Sequence, residues 1–205
     1  MARHASRPIV WFNNEQRGKE VIVRLNSAAL GLTEEELSGK IDDYEKEFKE
    51  ATNNNILFVD NGGLDKKLVE RVCKDVKPSL VIFDQIDKVR GFKGDRYDLE
   101  MKEVYQWARE LGKEHDSSII GVCQAGATGE DKRFLTMNDV DSSKTAKQGE
   151  ADWILGIGHI FQPGHEFIRY LCLSKNKLPG GPDCDKSMRH GKWPCIIKPE
   201  IGSLS

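Results

Sequence analysis

The sequence predicts an α/β protein with a mostly parallel sheet that is flanked by helices and ends in an antiparallel hairpin. Short runs of β-branched and aromatic residues alternate with longer segments of helical period, as they do in βα units. The last two apolar runs follow each other without a helical segment between them. A chain of 205 residues is long enough for one well-buried core. We therefore expect a single domain over residues 1–205.

Each predicted strand is a short apolar run that ends at polar or turn-forming residues. Five of these runs alternate with helical segments: 9–12, 56–60, 80–84, 118–124 and 153–157. The runs 167–174 and 194–198 come next with no helix between them, and they predict the closing hairpin.

The predicted helices are marked by apolar side chains three or four positions apart. The clearest one begins at Thr33, whose hydroxyl can form a capping box with Glu36. Its apolar stripe comprises Leu37, Ile41, Tyr44 and Phe48. Two further stripes comprise Leu64, Leu68, Val72 and Val76, and then Met101, Val104, Tyr105, Ala108 and Leu111. We assign these stripes to the core.

Composition indicates an ordinary globular protein. Apolar residues make up 38% of the chain and charged residues 31%, and the net charge is −2. Because the chain is not basic overall, any nucleic acid would have to be bound by local basic loops. No apolar stretch is long enough for a signal peptide or a membrane span, so we expect a cytoplasmic protein without membrane contact.

Cysteine usage supports the same compartment. The five cysteines are irregularly spaced and include no CxxC pair, which predicts reduced thiols. A zinc site formed by Cys184, His190 and Cys195 is an alternative, but these spacings do not fit common structural zinc sites.

Polar residues follow several predicted strands, at the edge of a parallel sheet where ligands bind. Asp84 closes the run LVIFD and has the position of a Mg²⁺-organising acid, although it could instead cap a turn. Glu15 follows the first strand and could polarise a water, or it could be a solvated loop carboxylate. Gln124 follows the fourth strand and could sense a phosphate or satisfy a backbone group.

Taken in order, these residues resemble the RecA-like motor domain of DnaB-type replicative DNA helicases, most closely their phage-like branch. Five segments carry the resemblance: Glu15 followed by VIVRLNSAALGL, Asp60 in ILFVD, Asp84 in LVIFDQIDKV, Gln124 in SSIIGVCQAG, and KQGEADWILGIG. The resemblance implies ATP and Mg²⁺ as cofactors, with Asp84 on the metal, Gln85 beside the nucleotide, and Glu15 and Gln124 in catalysis. It also implies a phage-encoded protein in a bacterial host.

The resemblance implies further roles for basic residues. Lys175 and Lys177 in SKNKLPGGP would reach the neighbouring subunit's nucleotide in a homo-oligomeric, hexameric ring. The family commonly has Arg at the second position, and Lys177 could neutralise a phosphate there but not grip it bidentately. Two loops would hold single-stranded DNA through Lys93, Arg96, Lys132, Arg133 and Lys144. Acidic residues are interleaved with these cations, so simple surface loops are the alternative.

One element of the family is missing from the 205 residues. No Gly-Lys pair is followed by Ser or Thr with a glycine five positions earlier, so the sequence contains no Walker A loop. It is therefore predicted to be an N-terminally truncated P-loop NTPase core that supplies the Walker B and later elements. We expect negligible ATP hydrolysis by this chain alone, with the P-loop provided by an upstream segment or a partner chain.

Two other functions are compatible with the same residues. The first is an ATP-inert protein that binds single-stranded DNA or assembles a ring while retaining the fold. The second is an unrelated metal-dependent hydrolase, in which Asp60 or Asp87 would supply a second metal carboxylate beside Asp84.

Overall fold

A computed structural model describes residues 5–140, 144–178 and 190–204, and it gives residues 144–146 by their backbone only. The helices are α1 (Gly18–Leu30), α2 (Glu34–Leu37), α3 (Glu45–Thr52), α4 (Lys66–Val76), α5 (Tyr97–His115) and α6 (Lys144–Glu150). The strands are β1 (Ile9–Asn13), β2 (Ile56–Asp60), β3 (Leu80–Asp84), β4 (Ser118–Gly121), β5 (Trp153–Gly158), β6 (Ile168–Asn176), β7 (Gly191–Lys198) and β8 (Ser203–Leu204).

The first four strands form a parallel sheet in the order β2-β1-β3-β4. Their register places Asn13 opposite both Asp60 and Asp84. The predicted parallel sheet is thus confirmed, and the polar residues that end its strands lie along one edge.

The main core lies between this sheet and the long helices. The two central strands bury Val10, Phe12, Val81 and Phe83 completely. The Phe12 and Phe83 rings stack with their centroids 5.5 Å apart, and Trp107 of α5 packs against Phe83 at 5.8 Å. The apolar stripes assigned to the core from helical spacing contribute Leu64, Met101, Val104, Ala108 and Leu111 to this buried cluster.

The remaining strands form a second, antiparallel sheet in the order β5-β6-β7-β8. The predicted hairpin is its β6–β7 pair, so the antiparallel end of the fold is confirmed. It is larger than predicted because β5 also pairs antiparallel with β6 and because β8 adds a short edge. A short connection without a helix joins β5 to β6, and such connections produce antiparallel neighbours.

Most predicted strands differ from the observed ones by one to three residues at one end or both, and two elements end well before their predicted ends. The capping box of Thr33 and Glu36 is present, but the helix ends at Leu37. Gly39 then adopts a left-handed conformation with φ +69°, and a 3-10 turn precedes α3. The predicted strand 118–124 ends at Gly121, which leaves Gln124 in a loop.

Cys73, Cys172 and Cys195 are free thiols. Burial raises the pKa of Cys73 to about 11, as expected for a thiol that serves as a small apolar side chain. Cys184, part of the alternative zinc site, lies outside the described residues. Within residues 5–140, 144–178 and 190–204, no three potential metal ligands are grouped together, and no helix is long and apolar enough to span a membrane.

Candidate functional site

Glu15 lies at the centre of a polar cluster at the carboxyl edge of the parallel sheet. Its Oε2 accepts a hydrogen bond from Gln85 Nε2 at 3.1 Å. Its Oε1 accepts from Lys88 Nζ at 3.3 Å and from Gln124 Nε2 at 3.4 Å. Three residues that are far from Glu15 in sequence therefore donate to its one carboxylate.

Asp84 lies beside this cluster at the end of β3. Partial burial raises the pKa of its carboxyl group, and the negative charge of Glu15 raises it further, while Arg24 and Lys88 act in the opposite direction. A pKa raised in this way means that the ionised form of Asp84 lacks sufficient positive charge nearby. A cation bound at this edge would supply that charge.

The polar side chains at this edge are better suited to a Mg²⁺ ion that is also bound by a nucleotide than to a metal ion bound by protein side chains alone. In the described part of the chain, no set of three acidic, His or Cys side chains is grouped there. Mg²⁺ is commonly held by one or two carboxylates together with phosphate oxygens and waters. Asn14 Nδ2, directly before Glu15, is buried and has no hydrogen-bond partner among the described residues. The edge thus offers a carboxylate and an unused donor.

The backbone at Gln85 directs its side chain toward Glu15. Gln85 is buried and has φ +65° and ψ 69°, a left-handed conformation that is uncommon for residues other than glycine. The turn continues into a 3-10 helix, Ile86–Lys88, which brings Lys88 to the same carboxylate. Non-glycine residues in such conformations cluster at functional sites.

Asp60 at the end of β2 has a structural role. Its Oδ1 accepts from Asn13 Nδ2 at 2.7 Å, and its Oδ2 accepts from the Gly18 backbone N–H at 3.1 Å. The carboxylate therefore stabilises the first turn of α1, where backbone N–H groups lack helical partners. Asp87 is likewise engaged, with Lys147 and Tyr105. Both carboxylates considered for the alternative hydrolase site are thus used within the fold.

The predicted basic pair lies away from Glu15, at the end of β6. Lys175 Nζ donates to the backbone oxygen of Gln148, and Lys177 Nζ donates to that of Gly149 at 3.4 Å. Burial lowers the pKa of Lys175, and the positive charge of Lys177 lowers it further. Within a single chain, both lysines are therefore directed at the C-terminal end of α6.

The predicted DNA-binding residues differ in how their charges are used. Lys132 Nζ lies 2.9 and 2.8 Å from the two carboxylate oxygens of buried Asp139. Arg96 forms two hydrogen bonds of 3.0 Å with Asp98. Lys93 is exposed, as is Arg133, whose guanidinium lies 5.7 Å from the Tyr170 ring centroid. The side chain of Lys144 lies outside the described residues.

Two lysines near the Glu15 cluster are not predicted from the sequence: Lys88, which contacts Glu15, and Lys147, which pairs with Asp87. Lys88 is not among the site residues predicted from the sequence, yet its side chain contacts Glu15. Lys147 was not singled out, although its side chain is buried and paired with Asp87. The spacing of Lys88, four residues after Asp84, could have indicated its contact with this site. A turn directly after β3 brings the Lys88 side chain back to the end of the strand.

Comparison with known proteins gives structural matches only. No family model matches the sequence, and no curated protein matches it. A solved structure of an ATPase domain matches with a TM-score of 0.75 at 17% identity over 97% of this chain and 74% of that chain. A DnaB-like replicative helicase, described with its interactions with primase, matches with a TM-score of 0.74 at 16% identity over 97% of this chain and 50% of that chain.

A third match is more distant. The KaiC-like protein PH0186 from Pyrococcus horikoshii has a TM-score of 0.56 at 17% identity over 97% of this chain and 76% of that chain. The present chain thus spans half the length of the DnaB-like helicase and about three quarters of the other two. These matches confirm the fold predicted from the sequence: the chain has the RecA-like fold of the ATPase domains of DnaB-like replicative helicases.

Proposed function

We propose that this chain is part of an ATP-dependent DNA helicase motor that couples nucleotide hydrolysis at subunit interfaces to translocation on single-stranded DNA. The observation that carries the proposal is the convergence of Gln85, Lys88 and Gln124 on Glu15 beside Asp84. Burial raises the pKa of Asp84, and the charge of Glu15 raises it further. Carboxyl groups perturbed by burial and by a specific charged neighbour are typical of catalytic sites, which favours an enzyme over a protein that only binds or assembles.

In this proposal, Asp84 would hold Mg²⁺ and Gln85 would lie beside the bound nucleotide. The metal would supply positive charge to the phosphate oxygens. Glu15 accepts a proton from, or orients, the attacking water, and its three hydrogen bonds fix the carboxylate for that purpose. Because Gln124 donates to Glu15, a change at the phosphate would reach the loop that follows β4.

Two parts of the proposed motor come from outside this site. A P-loop, on an upstream segment or on another chain, would hold the phosphates through backbone N–H groups and a lysine. In a hexameric ring, Lys175 and Lys177 would leave the α6 carbonyls and face the neighbouring subunit's nucleotide. Without the P-loop, we expect this chain to hydrolyse ATP negligibly.

The deciding test begins with the coding DNA upstream of Met1, read in frame for GxxxxGK[ST]. If the motif is found, the joined protein is expressed and its ATP hydrolysis measured. Asp84→Asn and Glu15→Gln are each expected to lower the rate at least about 100-fold, while Asp75→Asn, a matched change on the exposed surface of α4, leaves it unchanged. Hydrolysis that survives both substitutions would contradict the proposal, as would rapid hydrolysis by the present chain alone.

A second experiment tests the DNA partner. We expect fluorescence anisotropy to show binding of a labelled oligo-dT that weakens steeply with salt, because phosphate contacts dominate. Lys93→Glu combined with Arg133→Glu should weaken binding at least about tenfold, whereas Lys46→Glu on α3 should not. Binding without ATP hydrolysis by the joined protein would support the ATP-inert alternative, and absence of binding would remove DNA as the partner.

A further inference from the structure

The short helix α6 is fixed on one side by a buried ion pair. The Lys147 side chain is 3% exposed, and its Nζ lies 2.5 Å from Asp87 Oδ2. The other oxygen of Asp87 accepts a hydrogen bond of 2.8 Å from the Tyr105 hydroxyl. Lys147 Nζ also lies 5.7 Å from the Tyr105 ring centroid. A buried cation is thus enclosed by a carboxylate and the face of an aromatic ring.

Asp87 connects this ion pair to the candidate nucleotide site. It lies three residues after Asp84, within the 3-10 turn Ile86–Lys88. The same turn carries Lys88, which contacts Glu15. The position of α6 is therefore tied to the turn that shapes the Glu15 cluster.

On its other side, α6 contacts the basic pair. The three residues after Lys147 present their backbone oxygens to three cationic side chains: Gln148 to Lys175, Gly149 to Lys177, and Glu150 to Arg109 at 2.7 Å. These oxygens lie at a helix C-terminus, where carbonyl groups lack helical partners and attract cations. The four consecutive residues 147–150 thus join the Asp84 turn to the basic pair.

We propose that Lys147 is a positioning residue. It fixes α6 against the 3-10 turn Ile86–Lys88 that follows Asp84, and it thereby determines the positions of Lys175 and Lys177. The functional importance of the basic pair rests on the proposed function. The physical connection from Lys147 through α6 to Lys175 and Lys177 does not. A buried ion pair is seldom more stabilising than an apolar pair of the same volume, whereas its geometry is exacting. A positional role therefore accounts better than stability for a charged residue at this buried site.

The test replaces the ion pair by uncharged side chains of similar size, Lys147→Met with Asp87→Asn. Acylation by an N-hydroxysuccinimide acetate is followed by peptide mass spectrometry, with exposed Lys67 as the internal reference. We expect the acylation rate of Lys175 relative to Lys67 to rise about fivefold, the factor given by loss of an ordinary hydrogen bond. A matched double substitution at an exposed pair, Lys46→Met with Glu50→Gln, should leave that ratio unchanged.

Outcomes separate positioning from stability. If the double variant is less stable but the ratio is unchanged well below its melting temperature, Lys147 serves stability alone and the inference is overturned. Lys147→Arg keeps the charge and displaces α6 by the larger guanidinium, so a smaller rise is expected. This variant decides the question if the double variant does not fold, because an unchanged ratio again overturns the inference.

The measurement is independent of the proposed function. It uses the present chain without nucleotide or DNA, so failure of the hydrolysis test leaves its result intact. Conversely, an unchanged acylation ratio would not affect the roles proposed for Glu15 and Asp84.

Discussion

The parallel and antiparallel sheets of this molecule differ in how far they bury their apolar side chains. The central strands β1 and β3 bury Phe12 and Phe83 completely. On β5 and β7, in contrast, Leu155 is 41%, Ile157 54% and Trp193 38% exposed. Residues 155, 157 and 193 lie on one face of the antiparallel sheet, because Ile157 and Trp193 both pair with Leu171.

The opposite face of the antiparallel sheet is covered by the segment 132–139, most of which is neither helix nor strand. A side-chain carbon at Gly156 would meet Leu135 at 2.7 Å, and one at Gly158 would overlap the Arg133 backbone oxygen. The glycines therefore allow the backbone to approach closely. The parallel sheet therefore carries most of the hydrophobic stabilisation, whereas the antiparallel sheet depends on these close backbone contacts and on the Lys132–Asp139 ion pair of the segment that covers it.

The largest expected effect tests this contrast directly. Phe83→Ala removes a fully buried ring that packs on Phe12 and Trp107, so we expect the free energy of unfolding to fall by about 3–5 kcal/mol. Ile157→Ala on the exposed face should cost less than about 1 kcal/mol. Urea denaturation followed by circular dichroism measures both. Equal losses for the two variants would contradict the contrast.

A smaller effect concerns the ion pair in the segment that covers the antiparallel sheet. Burial opposes the charge of Asp139, but hydrogen bonds from Lys132 and Thr136 outweigh burial and lower the pKa from 3.8 to about 2. A carboxyl group whose pKa falls on folding stabilises the protein above its unfolded pKa. That stability is lost as the pH falls from about 4 through 2.

Asp139→Asn should therefore lower the free energy of unfolding at pH 7 by no more than about 2 kcal/mol. The difference from the parent protein should shrink toward zero near pH 2, because the parent loses the charge there. Thermal unfolding at a series of pH values measures it. A difference that stays constant from neutral to strongly acidic pH would show that charge is not what makes Asp139 stabilising.

The smallest expected effect concerns Asp60, which caps α1 at the edge of the parallel sheet. A side-chain carbon at Gly18 would overlap Asp60 Oδ2, so Gly18→Ala must displace the carboxylate that caps α1. We expect a loss of about 1 kcal/mol, similar to removal of a helix cap. Gly62→Ala is the matched control, because nothing lies within 4 Å of the added carbon. Similar stability of the two variants in urea would argue against a capping role for Asp60.

The positions of most strands and of the Glu15 site followed from the sequence. Apolar runs that end in polar residues predicted β1, β2 and β3, and the parallel arrangement then predicted that Glu15, Asp84 and Gln124 would approach one another. The contacts of Gln124 and Gln85 with Glu15 agree with that arrangement. These features depend on short-range patterns and on a general rule of parallel sheets.

Other features could not be predicted because they depend on how elements meet. The apolar stripe from Leu37 to Phe48 predicts one continuous helix from Thr33. The helix instead ends at Leu37, because Gly39 and the following turn change the direction of the backbone. The pairing of Lys147 with Asp87 required α6 to pack beside α5, across 60 residues of chain. No local pattern encodes that distance.

The sequence alone predicts most of the strands and helices, the composition of the parallel core and the polar residues at its edge. Periodicity and propensity act within a few residues, so they are visible in the chain before it folds. The tertiary structure decided which charges meet: Lys88 with Glu15, Lys132 with Asp139, and Lys175 with the end of α6. Each of these contacts joins side chains or backbone groups from different parts of the chain, and they come within a few ångströms only because the elements that carry them pack together. Sequence separation does not reveal that distance.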